Sequence, residues 1–300
     1  MNPPFIPFAA EARLDWLDLT HALAAGHDLP RAETKDSFLY RGDDTILSRA
    51  AWIDGLGALV KTATIFPDNP AMDKPTVNGA VSLFSDTDGT LAAMLDFALV
   101  TKWKTAGDSL LAATRLARPD AARILIVGSG TVARSLHAAY SAAFPDARFA
   151  VWSRTAATAR TLADRLGIDH APDLADAVPQ ADIVTCATMT TDPILRGDWL
   201  RPGQHIDLIG AYRPDMREAG DDVLRRATIF VDSRATTMDH IGELKIPLAE
   251  GVIDASDVVA DYYDGNAMRR RSDDQITLFK NGGGAHLDLM TARYILDTVG

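Results

Sequence analysis

The residues with the most chemical content are Gly128-Ser129-Gly130-Thr131-Val132-Ala133, directly after the apolar run Ile124-Leu125-Ile126-Val127. Their spacing fits G-x-G-x-x-A, the dinucleotide-binding pattern with alanine for the third glycine. Missing Cβ atoms let backbone approach a pyrophosphate, and the N–H groups of a helix starting there point at it. A glycine-bearing turn without a ligand is the plainer reading; the strand before and the helix after favour the cofactor. The next apolar run ends in Val151-Trp152-Ser153-Arg154-Thr155, where an NAD-selective fold would place an acid against the ribose 2′-hydroxyl. Two hydroxyls and a guanidinium suit a 2′-phosphate, so NADP(H) is expected as the preferred coenzyme, with NAD(H) left open. Arg154 as a mere surface cation is the alternative.

Other chemistries find little support. The single cysteine, Cys186, excludes an internal disulfide and lies in a strand-like run where a buried spectator thiol is expected. Seven histidines show no HxxxH or HxH spacing, and no metal site is expected. A net charge of −11 with acids spread along the chain argues against nucleic-acid or membrane partners. The N-terminus carries acids where a signal peptide needs basic residues and an apolar stretch, so a cytoplasmic location is expected.

The loop requires a frame of α/β type. From Arg123 onward apolar runs alternate with helical stretches: Ile124–Val127, a helix over Thr131–Ala142, Phe149–Trp152, a helix over Ala156–Leu166, then Ile183–Cys186, Ile206–Ile209 and Ile229–Asp232. This predicts a Rossmann-type doubly wound parallel sheet, with Ile276–Phe279 as a sixth strand. Before it, strand-like segments at Ser37–Tyr40, Leu59–Phe66 and Ala80–Phe84 predict a separate α+β unit. A helix over Lys104–Leu116 leads into the first Rossmann strand. The expected division is 1–116 for substrate binding and dimerisation, joined by a returning helix at 287–300, and 117–286 for the nucleotide.

Several segments in order resemble the ornithine cyclodeaminase and mu-crystallin family: Val60-Lys61 leading to Phe66-Pro67-Asp68-Asn69, Val100–Ala106, the glycine loop, Trp152–Thr155, Asp192–Leu195, Ile209–Asp215 and Thr277–Lys280. The resemblance implies a homodimer and hydride transfer between nicotinamide C4 and the α-carbon of an amino or imino acid. It also implies cofactor contacts at Thr188, Met189, Gly210, Lys280 and Asn281. Lys61 matches the family's active-site lysine, in an apolar run where a structural lysine is awkward to bury; a snorkelling surface lysine is the alternative. Arg31 is the candidate for the family's first carboxylate-binding arginine, with Arg49 the competing choice.

Two departures bear on mechanism. Lys104 stands where the family usually has arginine, which loses a bidentate fork but keeps a point charge. Tyr212 stands where cyclodeaminases carry an aspartate that handles protons, and a phenol is a poor base near neutrality. The expected function is therefore an NAD(P)H-dependent reductase of a small imino acid, with Arg31, Lys61 and Lys104 on the carboxylate and Lys61, Tyr212 or water managing the proton. An amino-acid dehydrogenase or cyclodeaminase, and a ligand-binding protein of crystallin type, are the other readings.

Overall fold

Strand Gly57–Ile65 shows how the N-terminal region is organised: Leu59, Lys61 and Ala63 are buried on one face, and Val60 between them is exposed on the other. That period of two is what a sheet covered on one side demands. The computed structural model describes residues 3–300 and divides them into two units: residues up to Lys104 with Gly283–Gly300, and Thr105–Gly282. Sequence patterning puts these boundaries at 116/117 and 286/287.

The first unit holds strands β1 (Phe5–Ile6), β2 (Glu33–Arg41), β3 (Asp44–Ile53), β4 (Gly57–Ile65), β5 (Val77–Phe84) and β6 (Leu91–Asp96). They form one sheet in the order β1-β6-β5-β4-β3-β2, antiparallel except for the β1–β6 pair. The C-terminal helix Ala285–Val299 packs on β2 to β5, and helix α1 (Trp16–His27) packs on that helix. Asp15 starts α1 by accepting the N–H groups of Leu17 and Asp18. The opposite face leaves Leu39, Ile46, Trp52, Val60, Met94 and Phe5 exposed.

Helix α2 (Phe97–Leu116) starts seven residues earlier than its sequence suggests. Phe97-Ala-Leu-Val-Thr-Lys-Trp is rich in β-formers, but Asp96 accepts the Leu99 N–H at 2.9 Å and nucleates the helix there.

The second unit is an eight-stranded sheet: β7 (Arg123–Val127), β8 (Arg148–Trp152), β9 (Asp169–His170), β10 (Ile183–Cys186), β11 (His205–Leu208), β12 (Thr228–Val231), β13 (Val258–Ala260) and β14 (Thr277–Lys280). Every pairing is parallel, in the order β13-β12-β14-β11-β10-β7-β8-β9. Helices α3 (Thr131–Ala143) and α4 (Ala156–Leu166) make the first two crossovers. The central strands are buried on both faces, so most of them read as continuous apolar runs rather than alternations, while β8 and β9 towards one edge are only partly buried. Strand order reverses between β7 and β10, and it is at such a switch point that a doubly wound sheet binds ligands. The sixth strand expected from sequence is β14, which lies inside the sheet between β11 and β12. Among the described residues no helix is long and apolar enough to cross a membrane, and no cluster of three or more potential metal ligands occurs.

Candidate functional site

In the first unit a single row crosses the sheet: Leu95, Val81, Lys61, Arg49 and Asp36 are successive register partners on β6, β5, β4, β3 and β2. Like charges directly opposite each other, as Lys61 and Arg49 are, destabilise a sheet unless an anion intervenes. Asp288 of the C-terminal helix is that anion, fully buried, with Oδ1 2.8 Å from Lys61 Nζ and Oδ2 3.6 Å from Arg49 Nη1. Arg49 also donates to Gly283 O and pairs with Asp36 at 2.7 Å. Helix α2 presents Phe97, Thr101 and Lys104 on one side by its i, i+3, i+4 spacing. Thr101 Oγ1 accepts from Lys61 at 2.7 Å, the Phe97 ring lies 4.7 Å from the ammonium, and Lys104 donates to Gly283 O at 3.0 Å.

Burial is the main influence on Lys61, lowering its pKa to about 8 against the opposing pull of Asp288; Lys104 and Arg49 push it further down. Burial alone would raise the Asp288 carboxyl, but Lys61, Lys104 and Arg49 outweigh it and hold Asp288 below the usual carboxylate range. His286, two residues before Asp288 on the same helix, is driven down to about 3 by burial and then by Lys104, so it is neutral. Among the described residues Lys61 uses two of its three N–H donors and Lys104 one. Three cations around one buried carboxylate suit a small carboxylate ligand.

In the second unit, β7 runs into the glycine loop. Gly128 has φ +122°, and a Cβ there would lie 2.8 Å from Ala187 O, so both conformation and space require glycine. Gly130 caps α3 with no side-chain bond and has open space where a Cβ would stand. That opening, in front of the N–H groups of Thr131 and Val132 at a helix start, fits a pyrophosphate. Ser129 Oγ lies 3.1 Å from Ser153 Oγ and 2.9 Å from Thr158 Oγ1, within hydrogen-bond reach of both, closing a triangle of hydroxyls at the end of β8. Arg154 and Thr155 are exposed beside it.

The loops after β10 and β11 carry Thr188 and Met189, and Gly210 and Tyr212. Met189 and Tyr212 are exposed, while the Thr188 and Gly210 N–H groups both donate to buried Glu218. Burial pushes the Glu218 carboxyl up to about 8, with the Lys280 charge opposing. Lys280 is wholly buried and donates to Leu208 O, so its charge acts from beneath the strand ends. Asn281 donates to Thr105 O and Ser109 Oγ.

The structure thus brings Lys61, Lys104 and Arg49 together. Arg31 is exposed just before β2, and its charge reaches His286. Sequence reasoning missed Asp288, Thr101, Thr158 and Glu218. Asp288 carried a signal, an acid inside the buried run Ala285–Ala292; Glu218 lies in the charge-rich Arg217-Glu218-Ala219-Gly220-Asp221, where nothing distinguishes it.

A parallel doubly wound unit with a glycine loop at its switch point, in one chain with an α+β unit that gathers Lys61, Lys104 and Arg49 around buried Asp288, defines a Rossmann-type two-unit protein of the dinucleotide-binding class. The chain belongs to the ornithine cyclodeaminase/mu-crystallin family, whose model matches residues 53–300. It is 52% identical over 303 residues to Delta(1)-pyrroline-2-carboxylate reductase of Paracoccus denitrificans, covering 98% of this chain and 96% of that protein. It is 30% identical over 241 residues to ketimine reductase mu-crystallin of Mus musculus, covering 79% and 75%. The Delta(1)-pyrroline-2-carboxylate reductase of Thermococcus litoralis, solved with NADH and L-proline, shares the fold at TM-score 0.87 and 23% identity, over 98% of this chain and 96% of that one.

Proposed function

We infer that the chain is an NAD(P)H-dependent reductase of small imino acids, with cyclic ketimines such as pyrroline-2-carboxylate or piperideine-2-carboxylate as the substrate class. The observation that carries this is the buried group Lys61, Lys104 and Asp288, in a chain that shares half its residues with a reductase of that kind. Reduction of a ketimine adds hydrogen at the α-carbon and a proton at nitrogen. NAD(P)H, when bound, supplies the hydride.

The chain's own residues do the rest. Lys61 and Lys104 offer their remaining N–H donors to the carboxylate. Arg31, whose charge reaches His286 beside the group, is assigned the outer side of the carboxylate, with Arg49, which also holds Asp36, Asp288 and Gly283, the competing choice. Lys61 is the proton donor, since a pKa of about 8 places its proton within reach near neutrality while Asp288 and Thr101 hold it in position. Gly128, Ser129, Gly130, Thr131 and Val132 would hold the pyrophosphate, and Ser153, Arg154 and Thr155, with Thr158, a 2′-phosphate, making NADPH the preferred coenzyme. Thr188, Met189, Gly210, Lys280 and Asn281 would frame the rest of the site. Tyr212 offers no carboxylate for the proton transfers of cyclodeamination, which favours reduction. The assembly is assigned as a homodimer, supported by the apolar outer face of the first sheet.

The test is NADPH oxidation, followed by absorbance, against cyclic ketimines, pyruvate with amines, and iminosuccinate, beside ornithine with NAD⁺. Turnover of a cyclic ketimine with at most a trace of proline from ornithine is expected. Tight NADPH binding without turnover of any of them would replace this reading with that of a ligand-binding protein.

A further inference from the structure

We propose that Glu218 is a positioning residue of the cofactor site: it locks together the loops that follow β10 and β11 at the spacing the nicotinamide half of the cofactor needs. This rests on the reading of the second unit as the NAD(P)H-binding unit. Glu218 is fully buried. Its Oε1 accepts both the N–H and the hydroxyl of Thr188, each at 2.7 Å, and its Oε2 accepts the N–H of Gly210 at 2.7 Å. The two loops also touch directly, since a Cβ on Gly210 would overlap the Thr188 carbonyl. Below, Glu243 grips the backbone of the clamp itself, its carboxylate accepting the N–H groups of Glu218 at 2.7 Å and Ala219 at 3.0 Å.

The place of the clamp decides which part of the ligand it serves. Ser153 and Arg154 stand at the end of β8, on one side of β7, and the strands on the other side of β7 are β10 and then β11. A dinucleotide lies across the carboxyl ends of such a sheet. With its adenosine end at β8 and its pyrophosphate at α3, its nicotinamide end falls to the loops Glu218 joins. Two backbone N–H groups can only donate, so in the ionised form, which these donors and the Lys280 charge favour against burial, both carboxyl oxygens accept. An amide at this position would set its own NH₂ against one of them, releasing either the Thr188 or the Gly210 side.

The experiment uses the full chain with Glu218→Gln, Thr188→Val and Thr188→Ser. Three quantities are measured: the NADPH dissociation constant, kcat with a cyclic ketimine, and the dissociation constant of 2′-phospho-ADP-ribose, which lacks nicotinamide. Glu218→Gln is expected to weaken NADPH and lower kcat by about tenfold each while the fragment stays within about twofold of wild type. Thr188→Val, which removes one donor to Oε1, should move the same way by less, and Thr188→Ser should restore it. Unchanged NADPH binding and kcat in Glu218→Gln, or equal weakening of NADPH and fragment, overturns the proposal. Should Glu218→Gln not fold, equal behaviour of Thr188→Val and Thr188→Ser overturns it. Wild type that binds neither ligand would remove the cofactor reading itself, a failure seen without any substitution.

Discussion

Lys61 Nζ lies 2.8 Å from Asp288 Oδ1, both buried, joining positions 227 residues apart. The pair is the electrostatic centre of the first unit. Removing one partner of such a buried pair costs about 3–5 kcal/mol, because the other charge is left uncompensated.

Lys61→Met should abolish most turnover and leave NADPH affinity unchanged, because the lysine belongs to the unit that lacks the glycine loop. The expected loss in kcat/KM is roughly 30- to 1,000-fold, or about 2–4 kcal/mol of transition-state stabilisation. Steady-state kinetics with a coenzyme titration checks it, and near-wild-type turnover refutes the assignment.

The pH profile should carry the Lys61 titration. Below about 8 the side chain is an ammonium that can hold a carboxylate and give a proton; as pH rises through that value it loses both abilities, so kcat/KM falls on the alkaline side. Asp288→Asn removes the charge that raises the lysine's pKa, and the alkaline limb should move to lower pH by on the order of one unit. A limb that stays in place, or moves upward, would show that Lys61 does not titrate in catalysis.

Arg154→Ala should weaken NADPH by about 10- to 150-fold and leave NADH nearly unchanged, since the lost charge-assisted bonds go to a phosphate that NADH lacks. The wild-type preference should shrink as salt rises, because Arg154 is exposed. Isothermal titration of both coenzymes decides it; equal weakening of the two would rule out a phosphate contact.

Light scattering at micromolar concentration should give twice the chain mass. Trp52, 56% exposed on the outer face of β3, lies in an apolar surface shared with Val60 and Met94, the kind of patch that a second subunit covers. Trp52→Glu should yield monomer with an unchanged far-ultraviolet circular dichroism spectrum. A wild-type monomer, or a dimer untouched by the substitution, would remove this face from the interface.

The parallel sheet was legible because strands buried on both faces leave apolar runs that need no partner to be seen, as Ile124–Val127 and Ile183–Cys186 do. Strands β3 and β6 were not, since Asp44–Ile53 includes Asp44, Ser48 and Arg49, and Leu91–Asp96 lacks a clear alternation. Helix α2 hid its first turns behind residues of strand preference. At the site, Lys61 stood out as a charge in an apolar strand, whereas Thr101 meets Lys61, and Thr158 meets Ser129, only through the fold. Hydroxyls on helix faces carry no pattern of their own.

The position of β14 and the C-terminal helix has a consequence for how the molecule comes into being. The second sheet is completed only when β14 enters between β11 and β12, and the site of the first unit only when Asp288 reaches Lys61. During synthesis the nascent chain therefore carries a split parallel sheet until β14 emerges and a lysine without its counter-ion until Asp288 does. Neither unit completes its packing, therefore, before that stretch of chain is available. A chain halted before Asp288 should be an aggregation-prone species, so the same C-terminal residues that complete the site also license the fold.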